Sequence, residues 1–428
     1  MGKKRCFIIG LDGTPFSFLK KEIAAGHLPN LASLSSDGSF NVMETEIPTI
    51  SSVAWASFMT GKNPGEHGIF GFTDRKSGTY DLYFPNYSHL RSEPMWDALN
   101  KSGKRCCVLN VPSTYPARPM NGVMVSGFVA PSLERATYPD SALEFLQASN
   151  YRIDVDASKG RESLDALLED LFLTLEKRRE AFLHFMGQEE WDLFVGVFTG
   201  TDRLHHFFWK QYEENDATYY PAFMSFYKRV DEIVGEMVAE MPSGSALLML
   251  SDHGSTTIKN EIYINAYLHA CGYLEFVKES PMTIADIDGS RTKAYCMDPG
   301  RIYLNLQGRE PAGIIPKAKY YDTLNELKNI FQDLKDPQSG DTVIEKIFFK
   351  DDIYHGKVLD RAPDMIVQPM RGYDFKGAVG QKNIFWQGHL TGMHTQDDAF
   401  VFINHELTDE PPSHIRDVAR PVMDYLLD

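Results

Sequence analysis

The feature that most constrains the fold is a series of short, continuous apolar runs separated by stretches of helical periodicity. The runs lie at residues 5–11, 105–111, 123–128, 193–198 and 246–250. Unbroken apolar runs of this length are typical of strands that are buried on both faces of a sheet. Strand and helix alternate along the chain, which predicts an α/β fold with a mostly parallel central sheet and helices on both faces.

Charge and composition narrow the class of ligand. The chain has 428 residues, of which 43% are hydrophobic and 24% are charged, as in ordinary globular proteins. Its formal net charge of −16 argues against binding to nucleic-acid polymers or to anionic membranes. An anionic small molecule would therefore need local cations or metal ions to bind. No apolar run approaches the ~20 residues of a membrane span.

The five cysteines do not form the pattern of a disulfide framework or of a zinc–thiolate cluster. They are Cys6, Cys106, Cys107, Cys271 and Cys296. Their number is odd and most lie inside apolar runs, which is typical of small buried side chains. The first predicted strand begins by Cys6 and leaves no room for a signal peptide. We therefore expect a soluble, cytoplasmic protein.

The regular alternation weakens in one long segment. Between residues 257 and 388, turns rich in glycine and proline interrupt the pattern. We predict that residues 1–257 and 389–428 form a catalytic α/β core that binds metal. Residues 258–388 are predicted to be an inserted, cap-like region that contributes to the substrate pocket.

Side chains that commonly bind metals follow three of the predicted strands. Asp12 follows the first strand, Asp202 and His206 follow the fourth, and Asp252 and His253 follow the fifth. Ligands of open α/β sheets bind beyond the carboxyl ends of the strands. Asp202 and His206 are four residues apart, so they share one face of a helix and can hold a single ion. Carboxylate and imidazole groups together suit zinc or manganese, although each aspartate alone can equally cap a helix or a turn.

Two further stretches contain candidate site residues. Ser51 and Ser52 follow a strand candidate with alternating apolar residues and begin a predicted helix, whose N-terminus favours anions. The alternative is that Ser51 only caps this helix, a common role for serine. His389 and His394 precede the final predicted strand, and this stretch can supply one more metal ligand. Four other histidines are expected to be structural: His205, His269, His355 and His405.

Five motifs, in this order along the chain, connect these residues to a known family. They are Ile8-Ile9-Gly10-Leu11-Asp12-Gly13; Pro48-Thr49-Ile50-Ser51 with Thr60-Gly61 and Pro64-x-x-His67-Gly68-Ile69; Thr201-Asp202-x-x-x-His206; Ser251-Asp252-His253-Gly254; and Gly392-Met393-His394. With them the sequence resembles the alkaline phosphatase superfamily, specifically its type I phosphodiesterase/nucleotide pyrophosphatase branch. The resemblance covers nearly the whole chain and implies an alkaline-phosphatase-like α/β fold.

The resemblance also implies two divalent metal ions, with zinc favoured and manganese as the alternative. The ligands of one ion would be Asp202, His206 and His394. The ligands of the other would be Asp12, Asp252, His253 and the Ser51 oxygen. Counting back from Thr60-Gly61 places the nucleophile at Ser51, with Ser52 as the second choice. Two cations can stabilise the attacking and the leaving oxygen of an in-line displacement at phosphorus.

The function that the resemblance implies is hydrolysis of a phosphodiester or nucleotide-type substrate through a phosphoseryl intermediate. The substrate would be a small anionic phosphate ester. A phosphomonoesterase, a phosphonate hydrolase or a phosphoglycerate-mutase-like phosphotransferase is an alternative on the same site. A catalytically silent metal-binding protein is the alternative from a different class, and the intact set of ligands and nucleophile argues against it.

One position departs from the branch. Nucleotide pyrophosphatases carry an asparagine three residues after the nucleophile that helps to hold a phosphoryl oxygen, and this chain has Ala54 there. No arginine is adjacent to Ser51, although phosphatases specific for monoesters use one near the nucleophile. Thr14, Asn110 and His389 are candidates for a phosphate-binding residue that is not a metal ligand.

Overall fold

The computed structural model describes residues 3–188, 190–408 and 410–428, and its chain forms two compact units. The first unit consists of three segments, which extend up to Lys62, from Asn86 to Thr256, and from His389 to Asp428. The second unit consists of Asn63–Pro85 and Thr257–Gly388. Residues 63–85 thus group with the second unit, whereas the division based on sequence placed them in the core.

An eight-stranded sheet forms the centre of the first unit. Across the sheet the strands follow the order Gly38–Met43, Ala399–Asn404, Ala246–Leu250, Cys6–Leu11, Leu193–Phe198, Cys106–Leu109, Gly122–Val125 and Thr137–Tyr138. The strands from Ala246–Leu250 through Gly122–Val125 run parallel, and the neighbours on either side of this group join it antiparallel. The predicted α/β fold with a mostly parallel central sheet is confirmed.

Helices cover both faces of this sheet. The α-helices of the first unit are Phe16–Ala24, Pro29–Ser36, Ser51–Thr60, Met95–Lys101, Leu133–Ala136, Asp140–Ala148, Leu164–Gln188, Gly200–Glu213, Tyr219–Glu240 and Ala419–Leu427. Because successive side chains of a strand point to opposite faces, Phe7 and Ile9 contribute to one apolar core while Cys6 and Ile8 contribute to the other. The central strands are therefore buried on both sides, as their unbroken apolar runs predict.

The second unit contains two smaller sheets around a core of its own. One sheet has the strand order Ala294–Met297, Arg301–Leu304, Met365–Pro369 and Ile344–Phe349, and the other has the order Tyr373–Lys376, Asn260–Tyr263 and Phe385–Trp386. A hairpin pairs Asp74–Arg75 with Leu82–Tyr83. The α-helices of this unit are Pro64–His67, Ile264–Ala270, Tyr320–Gln332 and Lys350–Ile353.

Two predictions from composition can be compared with the structure. Every helix in the described part of the chain is too short or too polar to cross a membrane. Within the part of the chain that the structure describes, none of the five cysteines forms a disulfide bond, and four of them are buried, as their apolar surroundings predict. Cys271 is the exception, because it lies exposed at the end of a short helix.

Candidate metal centre

The three predicted aspartates lie at the carboxyl ends of neighbouring strands. Asp12 follows the central strand, and the strands that precede Asp202 and Asp252 lie on either side of it. Asp202 is in the first turn of the helix Gly200–Glu213. Because the three strands run parallel, their carboxyl ends meet at one edge of the sheet. The topology therefore brings the three carboxylates together, and all of them are buried.

Ser51 is the first residue of the helix Ser51–Thr60, and its hydroxyl lies beside these groups. Its Oγ is 3.4 Å from Oδ1 of Asp12 and 3.2 Å from Nε2 of His253. Ile50 occupies the N-cap position, and no side-chain hydrogen bond caps this helix. The alternative interpretation of Ser51 as a helix cap is therefore wrong. Its hydroxyl instead lies among the predicted metal ligands.

His394 forms one cluster with Asp202 and His206. It lies in the short strand Gly392–Thr395, with its Nε2 3.1 Å from Nε2 of His206 and 3.5 Å from Oδ1 of Asp202. Nε2 of His206 is 3.3 Å from the same Asp202 oxygen. His389, from the same stretch of sequence, packs its ring against Phe207 with 5.8 Å between ring centres.

His253 is the centre of a second cluster. Its Nε2 is 3.8 Å from Oδ1 of Asp12, 3.9 Å from Oδ1 of Asp202 and 3.4 Å from Oδ2 of Asp252. Asp252 uses its other oxygen to accept the Gly13 N–H at 2.9 Å. Asp202 therefore belongs to both clusters, whereas the sequence assigned it to one ion only. The described residues of this unit bring all seven predicted site residues together.

The three histidines present the same ring nitrogen to the site. In each ring Nδ1 lies within hydrogen-bond distance of a backbone carbonyl oxygen, so that Nδ1 must carry the proton and Nε2 keeps a lone pair. The pairs are His206 with Gly392 at 2.9 Å, His253 with Gly254 at 2.9 Å and His394 with Thr49 at 3.1 Å. A carbonyl partner on the far nitrogen is the usual arrangement of a histidine that binds a metal.

The atoms that face the site are acceptors without donors. Within the described residues, Oδ1 of Asp202 and Oδ2 of Asp252 are buried and have no hydrogen-bond partner. A buried acceptor in this state costs about 1–3 kcal/mol. Nε2 of His206 and Nε2 of His394 are 3.1 Å apart and face the same space. Divalent cations would satisfy the carboxylate oxygens, and a set of oxygen and nitrogen donors fits zinc or manganese.

The acids and imidazoles of the cluster shift one another's pKa values. Burial opposes protonation of His394, but Asp202 beside it raises the pKa of that ring. Burial and the charges of Asp252 and Asp202 raise the pKa of Asp12 well above its usual value. Burial opposes ionisation of Asp202, but His206 and His394 beside it hold its pKa well below the usual value. Burial lowers the pKa of His206 to about 4, so this ring is neutral near pH 7, as a metal ligand must be.

Two neighbours that support Asp12 were missed at the sequence level. The indole Nε1 of Trp55 donates to Oδ2 of Asp12 at 3.0 Å, and the hydroxyl of Thr201 donates to the Asp12 carbonyl oxygen at 2.6 Å. The hydrogen bond from Trp55 leaves Oδ1 of Asp12 to face Ser51. Trp55 lies four residues after Ser51 in the same helix, so the shared helix face was a signal in the sequence.

The candidates for a phosphate-binding residue have other partners. The Thr14 hydroxyl lies 3.0 Å from the Tyr227 hydroxyl. The Asn110 amide donates to the Val197 carbonyl at 3.0 Å. The side chains of Thr14 and Asn110 are both buried. Ala54 is fully buried inside its helix and offers no polar atom to a ligand. The structure therefore offers no polar group at position 54 in place of the asparagine of nucleotide pyrophosphatases.

Known structures share the fold at low sequence identity. Phosphonoacetate hydrolase from Sinorhizobium meliloti 1021 matches with a TM-score of 0.68 and 15% identity over 99% of this chain and 96% of that chain. Murine ectonucleotide pyrophosphatase/phosphodiesterase 5 matches with a TM-score of 0.56 and 12% identity, and covers 99% and 95% of the two chains. The human enzyme of the same name gives the same values. At this identity the likeness shows the fold alone.

The family is shown by sequence. No curated protein sequence is significantly similar to this chain. The model of one protein family nevertheless matches residues 6–397, which include all seven predicted site residues. The matched region exceeds nine-tenths of the chain. The chain therefore belongs to the type I phosphodiesterase/nucleotide pyrophosphatase family, in the alkaline phosphatase superfamily.

Proposed function

We propose that this protein is a metal-dependent phosphoryl hydrolase in which Ser51 is the nucleophile. The observation that carries the proposal is the position of the Ser51 hydroxyl, which is buried and lies 3.2 Å from Nε2 of His253 and 3.4 Å from Oδ1 of Asp12. Both contacting atoms belong to the cluster around His253, a group of residues that could hold a divalent cation. Family membership adds that relatives act on phosphate ester or phosphonate bonds.

Seven residues would hold two metal ions. One set is Asp202, His206 and His394, and the other is Asp12, Asp252, His253 and Ser51. When bound, the ions would lower the pKa of the Ser51 hydroxyl and neutralise charge on the phosphoryl oxygens. They would also supply the positive charge that a chain of net charge −16 otherwise lacks for an anionic substrate.

The chain's own residues define the path of the reaction. The Ser51 hydroxyl loses its proton to solvent and its oxygen attacks phosphorus. A bond from Oγ to phosphorus forms while the bond to the leaving oxygen breaks, and that oxygen takes up a proton from water. The N–H groups of Ser51 and Ser52 at the helix start have no intrahelical partner and favour the negative charge that develops there. Water then attacks the phosphoserine, which releases the phosphoryl group and restores the Ser51 hydroxyl.

The substrate class rests on the family and on the resemblance. A phosphodiester or nucleotide-type ester is the first choice, and a monoesterase, a phosphonate hydrolase or a phosphotransferase is the alternative. The similar structures include a phosphonoacetate hydrolase bound to phosphonoacetate and an ectonucleotide pyrophosphatase/phosphodiesterase bound to AMP. In this proposal residues 258–388 shape the substrate pocket. A cytoplasmic location is also proposed, and the absence of disulfide bonds among the five cysteines of the described residues fits it.

Substitution of Ser51 tests the proposal. We expect Ser51→Ala to abolish hydrolysis of bis-p-nitrophenyl phosphate while the bound metal remains, because three ligands of that ion stay in place. Ser52→Ala is the matched control, since its buried hydroxyl has no partner among the described residues, and this variant should stay active. Full activity of Ser51→Ala would move the nucleophile to Ser52 or to water and would overturn the assignment.

A further inference from the structure

Three large polar side chains lie buried on one face of the four-stranded sheet in the second unit. Tyr295 and Tyr303 are cross-strand partners, and their rings stack with 5.5 Å between centres and 12° between planes. Arg301 lies two residues before Tyr303 and therefore points to the same face. All three side chains are fully buried. This group, together with Arg75, is called the tyrosine–arginine cluster below.

The donors of this cluster exceed its acceptors. Arg301 donates from Nε to the Asp298 carbonyl at 2.6 Å and from Nη2 to the Thr73 carbonyl at 3.0 Å. Its Nη1 has no partner within the described residues, and the same holds for the hydroxyls of Tyr295 and Tyr303 and for Nε of Arg75. The Arg75 guanidinium lies 5.3 Å from the centre of the Tyr303 ring, so Arg75 packs against the same tyrosine pair.

The carboxylates nearby are already paired with other cations. Glu310 lies 3.3 Å from Arg75 and 2.9 Å from Arg309. Asp364 pairs with Arg309 at 2.5 Å and with Lys350 at 3.4 Å. These two acids serve three cations before Arg301 is considered. The buried carboxylate of Asp74, whose charge also acts on Tyr303, is paired with Arg361 at 2.9 Å. These three carboxylates therefore already face four cations, although the chain as a whole is strongly acidic.

Arg301 has no carboxylate partner among the described residues. Asp298 offers it only the backbone carbonyl, and the Asp298 carboxylate accepts the Gly377 N–H instead. A fully buried guanidinium without a counter-ion is strongly unfavourable. Burial raises the pKa of both Tyr295 and Tyr303, so the phenols remain protonated and able to donate at neutral pH. The interior therefore lacks one negative charge with hydrogen-bond acceptor capacity.

We propose that the tyrosine–arginine cluster binds one small monovalent anion of the halide class. The two phenol rings stack with 5.5 Å between their centres, and an ion that accepts from a hydroxyl would lie about 3 Å from its oxygen. A large polyatomic anion does not suit the site, because the backbone packs closely on Arg301. A Cβ added at Gly71 would lie 2.5 Å from Arg301 Cζ. A water molecule would satisfy the donors but would leave the charge unbalanced.

The bound anion would stabilise the second unit. Arg301 holds the Thr73 carbonyl and Arg75 belongs to the adjacent hairpin strand, so an ion between their guanidinium groups fastens this segment to the sheet. This role is structural and is independent of the proposed hydrolase. Its tests do not require activity, so failure of one proposal leaves the other intact.

Anomalous scattering tests the proposal directly. Crystals of the full chain, grown without chloride and soaked in sodium bromide, should show a bromine anomalous peak within about 3.5 Å of Nη1 of Arg301 and of at least one tyrosine hydroxyl. Crystals soaked in sodium gluconate serve as the control and should show no such peak. Absence of the peak in bromide, with only a water molecule in the density, would overturn the proposal.

A melting experiment provides the second test. After exhaustive dialysis against gluconate, the Tm should rise by about 3–6 °C for each tenfold increase in chloride at constant ionic strength. Tyr303→Phe should reduce this dependence. Tyr373→Phe is the matched control in the same unit, because its hydroxyl already donates to Asp336 at 3.1 Å, and its chloride dependence should equal that of the wild type. Equal Tm values in chloride and gluconate would contradict the anion.

Discussion

The two buried polar clusters of this protein are opposite in character. In the candidate metal centre, the unmatched atoms of the described residues are acceptors, namely one carboxylate oxygen each of Asp202 and Asp252. In the tyrosine–arginine cluster, the unmatched atoms are donors, with Nη1 of Arg301 as the clearest case. One chain of net charge −16 contains both.

The difference shows that the kind of unmatched group indicates the ligand better than the net charge does. Buried polar groups are almost always hydrogen-bonded, so a cluster in which one kind of partner is missing marks a position for that partner. Acceptors without donors require cations, and donors without acceptors require an anion. Removing an acceptor should therefore have different consequences in the two clusters.

The largest expected effect comes from removing an acceptor in the metal centre. His394→Ala should lower metal affinity by more than about 100-fold, because loss of an outer partner of a ligand already costs about 10- to 100-fold. The readout is metal content after gel filtration, measured by inductively coupled plasma mass spectrometry.

His389→Ala is the matched control for that substitution. His389 lies in the same stretch of sequence, but its ring packs on Phe207. Its metal content should stay near that of the wild type. A greater loss of metal in His389→Ala than in His394→Ala would indicate that His389 is the metal ligand. It would contradict the assignment of His394 to the candidate metal centre.

An effect on stability, and not on metal affinity, is expected when an acceptor is removed beside the tyrosine–arginine cluster. Asp364→Asn leaves Arg309 without its full charge partner, and breaking a buried pair in this way costs about 3 kcal/mol of unfolding free energy. Urea unfolding at pH 7 measures the difference. Equal stability of the variant and the wild type would show that this region is not rich in donors.

The pH dependence of that difference follows from the Asp364 pKa. Burial opposes ionisation of Asp364, but the paired Arg309 holds its pKa below the usual 3.8. A lowered carboxyl pKa stabilises the folded state above about pH 4, and this stabilisation is lost as the pH falls through the folded-state pKa. The gap between wild type and Asp364→Asn should therefore be constant from pH 5 to 7 and should shrink below pH 4. A gap that grows at acidic pH would contradict this sign.

The metal centre was predictable from the sequence because its parts are local. Asp12, Asp202 and Asp252 each follow a buried strand directly, and parallel topology then brings the strand ends together. Ser51 could not be distinguished from a helix cap by its position alone. Only the contacts with Asp12 and His253 decide between the two roles.

The tyrosine–arginine cluster was not predictable for the opposite reason. Arg75 lies far in sequence from the paired strands that carry Tyr295 and Arg301, and residues 63–85 were not assigned to the second unit from the sequence. The short strands of this antiparallel sheet carry no sequence motif that identifies the cluster. A buried arginine also resembles a surface arginine in the sequence, because only packing removes it from water.

The central claim is that the unmatched acceptors of the first unit hold divalent metal ions. Metal analysis of the full-length protein, purified without chelators and compared with His394→Ala, tests this most directly. The account predicts two equivalents of zinc, or of manganese, per wild-type chain. Less than one equivalent per wild-type chain would contradict it.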